Sequence, residues 1–144
     1  MATTTNWIGW ALGSAGFAAL TAIFAKLGVS QVSSDLATFI RTIVILLALA
    51  AFLTGTRQWQ PLDTVGAKSW LFLVLSGLAT GASWLCYFKA LKLGDAARVA
   101  PVDKFSVILV AVFGVAFLSE KLSPTNWLGV VLVGAGVVLL TLRA

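Results

Sequence analysis

Apolar residues in this chain come in long continuous blocks, not in strict alternation. Five blocks stand out, at about 6–28, 33–54, 68–91, 99–118 and 125–142. A helix that crosses a bilayer needs roughly 20 mostly apolar residues, and each block supplies about that many. The alternating pattern of lipid-facing strands is absent. Turn chemistry separates the blocks: Gly28-Val29-Ser30, Gly55 with Pro61, Gly94-Asp95 and Ser123-Pro124. The linkers are short, so consecutive helices are expected to run antiparallel, and none is long enough to divide the chain into domains. The pattern predicts an all-α membrane protein with five transmembrane helices in a single membrane domain over residues 1–144. The first block has no basic stretch before it and exceeds the apolar run of a signal peptide, so it is expected to remain as a span.

Composition sharpens this reading. Of 144 residues 60% are hydrophobic and 10% charged, against roughly 25% charged in an ordinary soluble domain. A soluble fold of this size has a polar skin that these residues cannot provide. The same imbalance excludes a nucleic-acid binder, since the ten basic residues are scattered at the ends of apolar blocks and not gathered in a patch. There is no histidine, and Cys86 is the single cysteine, so the chain offers neither an intrachain disulfide nor a Cys/His metal motif. No cofactor and no metal are expected.

Charge sets an orientation. Five spans put the two termini on opposite sides. Arg57, Lys68 and Lys121 fall on the side of the N-terminus; Lys26, Arg41, Lys89, Lys92, Arg98, Lys104 and Arg143 fall on the other. The ratio is 3 to 7, or 3 to 5 without Arg41 and Lys104, which lie within spans. The positive-inside rule then puts the N-terminus outside and the C-terminus in the cytoplasm. Trp7, Trp10, Trp59, Trp70 and Trp127 lie at span ends on the N-terminal side, as an interfacial aromatic belt does. Trp84 departs from the belt and lies within the third span.

The charges within spans carry the candidate chemistry. Arg41 lies about two turns into the second span, and Asp103 and Lys104 about one turn into the fourth. Charge at such depth is costly and faces a cavity or a partner. All enter from the cytoplasmic side, where Lys26 and Lys89 end spans one and three. Asp103 is the only deep acid, and Arg41 is its partner by depth. Lys26, Lys89 and Lys92 are expected to extend to lipid headgroups. Polar stripes point to a shared cleft: Ser76, Thr80, Ser83, Trp84 and Tyr87 follow one face of span three, Ser34, Thr38 and Arg41 one face of span two, Ser14 and Thr21 with Phe17 and Phe24 one face of span one, and Asp103 shares a face with Ser106. Such hydroxyls also bond between packed helices. The candidate substrate-binding set is Arg41, Trp84, Tyr87, Asp103 and Lys104, whose excess positive charge favours an anionic or zwitterionic ligand.

Small residues read as packing surfaces. Gly9 with Gly13 and Gly77 with Gly81 allow close helix approach, and Gly129 with Gly136 marks the fifth span as a packing or oligomerisation helix. Pro101 has two readings. In a helix that starts near Val99 it falls in the first turn and costs nothing; in one that starts at Ala96 it interrupts the helix near the charged residues. The expected fourth span, 99–118, takes the first. Glu120 is ill placed beside a helix C-terminus and is given a local structural role.

Gly94-Asp95-Ala96-Ala97-Arg98-Val99-Ala100-Pro101, then Phe117-Leu118-Ser119-Glu120-Lys121-Leu122-Ser123, then Asn126-Trp127-Leu128-Gly129 and a Gly-rich helix, together resemble the EamA domain of the drug/metabolite transporter superfamily. Phe39-Ile40-Arg41 at the entry to span two is similar as well. Ser119 stands where that family usually has Gly. Typical members carry ten spans in two inverted five-span repeats, and this chain resembles the short five-span bacterial and archaeal transporters, one EamA-like repeat long. The resemblance implies two copies assembling as a homodimer in the inner membrane, the inverted family repeat favouring an antiparallel pair, with spans one to four lining a cavity and span five bracing it. It implies a secondary transporter working by alternating access, for a small metabolite such as an amino acid, organic anion or drug-like solute. The related four-span exporters carry a glutamate in span one; no acid occurs there in this chain, so their proton exchange does not carry over. The alternative is a non-transporting membrane subunit, either an assembly partner or a lipid-binding module. An intramembrane enzyme lacks a nucleophile–base or carboxylate pair.

Overall fold

The computed structural model describes residues 6–142, and all the regular structure among them is helical. The helices are α1 (Asn6–Gly28), α2 (Ser34–Gly55), α3 (Ala67–Leu93), α4 (Ala96–Asp103), α5 (Ser106–Leu118) and α6 (Pro124–Thr141), with a short 3₁₀ turn at Leu62–Thr64. Four of them, α1, α2, α3 and α6, lie within two residues of the expected blocks. With α4 and α5 taken as one stretch, five segments are long and apolar enough to cross a bilayer.

Local chemistry fixes the ends. The Ser33 hydroxyl accepts the Leu36 amide at 3.3 Å ahead of α2, and the Ser123 hydroxyl accepts the Asn126 amide at 3.2 Å ahead of α6, with Pro124 in the first turn. Each cap satisfies an amide that a helix N-terminus leaves without a partner. At the end of α2 the chain turns through Arg57, at φ 55°, while the Thr56 and Gln58 amides bond to the Phe52 and Leu53 carbonyls. The end of α5 turns on Ser119, at φ 57°. This is the left-handed region, which Gly enters without steric cost, and it gives the reason a Gly would serve at this junction. The Ser119 and Glu120 amides both reach the Gly114 carbonyl. The Glu120 side chain folds over the same glycine, where a Cβ would meet its Oε2 at 2.6 Å. Glu120 thus has the local role expected of it.

The fourth span differs from expectation. Its helix starts at Ala96, because the Arg98 and Val99 amides both bond to the Asp95 carbonyl at 2.9 Å. Pro101 is therefore inside α4, not in its first turn. It has no N–H for the Ala97 carbonyl. Beyond it the ladder tightens: the Lys104 and Phe105 amides bond three residues back, to Pro101 and Val102, at 3.0 Å each. That 3₁₀ geometry interrupts the span at residues 104 and 105.

The residues fall into two compact units, divided after Leu93. In the first, α3 packs against both α1 and α2. Its buried residues are Ala22, Ala25, Val29, Thr38, Phe88 and Leu91. All lie near the α1–α2 turn and the C-terminal end of α3, where Val29 is 1% and Leu91 0% exposed. Ala22 and Ala25 are small enough to let the helices meet. Toward the other end packing fades. No neighbouring atom among the described residues lies within 4 Å of a Cβ built on Gly9, Gly13, Gly16, Gly77 or Gly81, so these glycines do not pack helices within the chain as their spacing suggested. In the second unit α6 packs against α4 and α5. Gly134 receives the side chain of Ile108, whose Cδ1 would lie 2.7 Å from an added Cβ. Gly129 and Gly136 have nothing within that range.

Candidate functional site

Arg41 stands in the α1–α3 unit, three residues beyond buried Thr38 on the same face of α2. Its guanidinium carbon lies 4.2 Å from the centre of the Trp84 ring and 5.6 Å from that of Phe88. Trp84 and Phe88 are four residues apart on α3, so their rings rise one above the other on one helix face. A cation over an aromatic face is attracted by the ring quadrupole, more strongly where water is scarce. Tyr87 meets Phe88 edge-on, at 6.4 Å between ring centres and 68° between planes. Trp84 is half-buried, whereas Trp7, Trp10, Trp59, Trp70 and Trp127 are exposed.

Beside Arg41 lies an open groove of about 440 Å³ between α1 and α2, with Phe88 of α3 contributing to its wall. Its lining is apolar apart from Thr21 and Arg41: Phe24, Ala25 and Gly28 from α1, Val32 from the turn, Ala37, Ile40 and Val44 from α2. The two acids of this unit do not neutralise Arg41. Asp35 pairs with Lys89 at 3.8 Å, and Asp63 lies in the loop before α3. The guanidinium carbon stands over the Trp84 ring, and no salt bridge among the described residues takes up its N–H donors.

Asp103 and Lys104 belong to the second unit. Asp103 closes α4, Lys104 begins the interruption, and the two pair at 3.3 Å. The expected Arg41–Asp103 pair joins residues of the two units; within its own unit each has the neighbour just named. The structure thus sets Arg41 over Trp84 and on the lining of one groove, which neither Trp84 nor Tyr87 lines, and places Asp103 with Lys104 at a break in a helix.

The lysines behave differently from expectation. Lys26 Nζ donates to the Leu91 carbonyl at 2.7 Å, an acceptor in the last turn of α3 that lacks a helical partner. Lys92 Nζ donates to the Val32 carbonyl at 2.9 Å. These cations tie the α1–α2 turn to the end of α3 instead of only extending to headgroups. The stripe hydroxyls also divide. Thr38 is buried and donates to the Ser34 carbonyl at 2.9 Å, and Thr80 donates to the Ser76 carbonyl at 2.8 Å. Both close bonds inside their own helix and none across helices. Thr21 and Phe24 of the α1 stripe line the groove, while Ser14 and Phe17 are exposed. Phe88 lines the groove without having been singled out in the sequence, though its four-residue step from Trp84 was an available signal; Ile40, also on the lining, was named there only within Phe39-Ile40-Arg41.

No solved structure matches this chain. It is 63% identical over 135 residues, 94% of its length and 96% of the relative's, to an uncharacterized transporter in the cobO 3′ region of Sinorhizobium sp.. Residues 5–142 match the EamA-like transporter family. Five bilayer-length helices, an arginine held on aromatic rings inside one of them and this match over nearly the whole chain agree: the protein is a multi-pass membrane protein of the EamA-like transporter family.

Proposed function

We propose that the protein is a secondary transporter that moves a small metabolite across the inner membrane by alternating access, working as a homodimer. The observation that carries this reading is Arg41, a permanent cation inside a span, stacked on Trp84 at the edge of a groove large enough for a small solute. An ionisable residue in a span marks a substrate path by default. Arg41, Trp84 and Tyr87 form the binding wall, and Arg41 holds an acidic group bidentately. Asp103 and Lys104 are the second unit's own candidates for substrate binding. They sit where Pro101 and the tightened turn interrupt a helix, and irregular backbone near charge is what transporters use around their sites. The open Gly129 and Gly136 face of α6 supports span five as the contact between copies. The charge bias supports an external N-terminus and a cytoplasmic C-terminus.

Purified protein in liposomes, screened for uptake of amino acids, organic anions and organic cations, tests this reading. Saturable uptake of at least one class, lost in Arg41→Gln, is expected. No flux of any class would leave a membrane subunit without transport of its own.

A further inference from the structure

We propose that the α1–α2 groove selects an organic monoanion with an apolar body, against zwitterions, cations and dianions. The inference rests on the transport reading for its physiological meaning and on the groove alone for its chemistry. The lining offers one full charge, on Arg41, and otherwise Thr21 and apolar walls that include Phe24, Ile40, Val44 and Phe88. An amino acid entering it would bring an ammonium group for which no carboxylate lines the groove. The acids of this unit lie elsewhere, with Asp35 already on Lys89. Asp103 has its charge matched by Lys104. The groove then carries one positive charge, that of Arg41, which one carboxylate neutralises and a dicarboxylate or phosphate dianion overfills. A second charge left among these walls would lose its hydration without a partner.

The geometry also suits a carboxylate specifically. A guanidinium carries parallel N–H donors along its edge that match two carboxylate oxygens, and no salt bridge among the described residues takes up those of Arg41. A neutral amide takes at most one of those bonds as an acceptor and carries no charge. The apolar body then lies along Phe24, Ile40 and Val44, where it is removed from water.

The test uses the full chain in detergent micelles with Trp7, Trp10, Trp59, Trp70 and Trp127 replaced by Phe, so that Trp84 alone reports on its cation. Hexanoate, cyclohexanecarboxylate and 3-phenylpropionate are titrated beside the amides of the same bodies, and 3-phenylpropionate beside phenethylamine and L-phenylalanine. Saturable change in Trp84 emission is expected with carboxylates, and at least tenfold weaker binding with their amides, the amine and the amino acid. Arg41→Gln should weaken carboxylate binding at least tenfold, and Arg41→Lys less. Val44→Phe, which keeps the charge and fills the groove, should also weaken it, so the proposal does not hang on one variant's folding. Equal or tighter binding of the zwitterion or the amine overturns the proposal. So does failure of every carboxylate to perturb Trp84, or unchanged affinity in both Arg41→Gln and Val44→Phe. The liposome screen is separate. Carboxylate binding without flux overturns the transport reading and leaves the monoanion site, whereas flux of a zwitterion with no carboxylate binding does the reverse.

Discussion

Single side chains carry more here than in a soluble core. Arg41 is held by ring faces and not by a carboxylate, and such a contact is worth about 0.5–2 kcal/mol. Trp84→Ala should therefore weaken ligand binding by up to about thirtyfold while helical circular dichroism stays unchanged. A ligand that quenches Trp84 fluorescence checks the assignment, since quenching by lipid-soluble agents alone would place the ring toward lipid. At the other end of the chain's chemistry, Ser119 occupies a left-handed backbone position. A side-chain-bearing residue there costs about 1–2 kcal/mol, part of which Gly returns through its freer unfolded chain. Ser119→Gly should raise thermal stability in detergent by about 0.5–1 kcal/mol, and Ser119→Val should lower it.

Helix pairs are decided by which small residue meets which large one. Gly134 of α6 receives Ile108 of α5 at a distance that leaves no room for a methyl group. Gly134→Ala should cost about 1–3 kcal/mol by overpacking. Ile108→Val deletes Cδ1, the atom in the way, and leaves Cγ1 at an ordinary 3.8 Å from the new Cβ. The double variant should melt closer to wild type than Gly134→Ala alone. At this scale the five spans were legible because lipid demands long apolar runs. The start of α4 was not. Pro101 is compatible with a first turn and with an interruption, and the choice depends on whether Asp95 closes the turn, which no local pattern fixes. The glycine pairs misled for a related reason. Spacing shows that a face can take a close neighbour, and says nothing of whether one is there. Arg41 and Trp84 were legible as members of one candidate set, and their contact was not, because it joins residues more than forty positions apart.

For the molecule as a whole, sidedness and assembly are linked. Basic residues favour one orientation by 3 to 5 or 3 to 7, whereas an antiparallel homodimer needs the same chain inserted both ways. With Cys86 replaced by Ala, single cysteines at Gln31 in the α1–α2 turn and Gln60 in the α2–α3 loop report the two faces. An impermeant thiol reagent applied to right-side-out vesicles should label Gln60→Cys and spare Gln31→Cys if the charge bias prevails. Labelling of both would establish dual insertion and with it the antiparallel pair. Within the α1–α3 unit, Lys26 ties the end of α1, and Lys92 the α1–α2 turn, to α3 at the end where the buried residues gather, while Gly9 and Gly13 near the start of α1 and Gly77 and Gly81 midway along α3 face open space. Mechanically this makes the fastened end a fulcrum and the far ends of α1 and α3 the free arms. Small rotations at the lysine ties become large displacements some 20 residues away, a distance of about 30 Å along a helix. Spin labels at Gln31 and Leu93 should give a narrow distance distribution, labels at Trp10 and Leu71 a broad one, and Lys26→Met should widen the first.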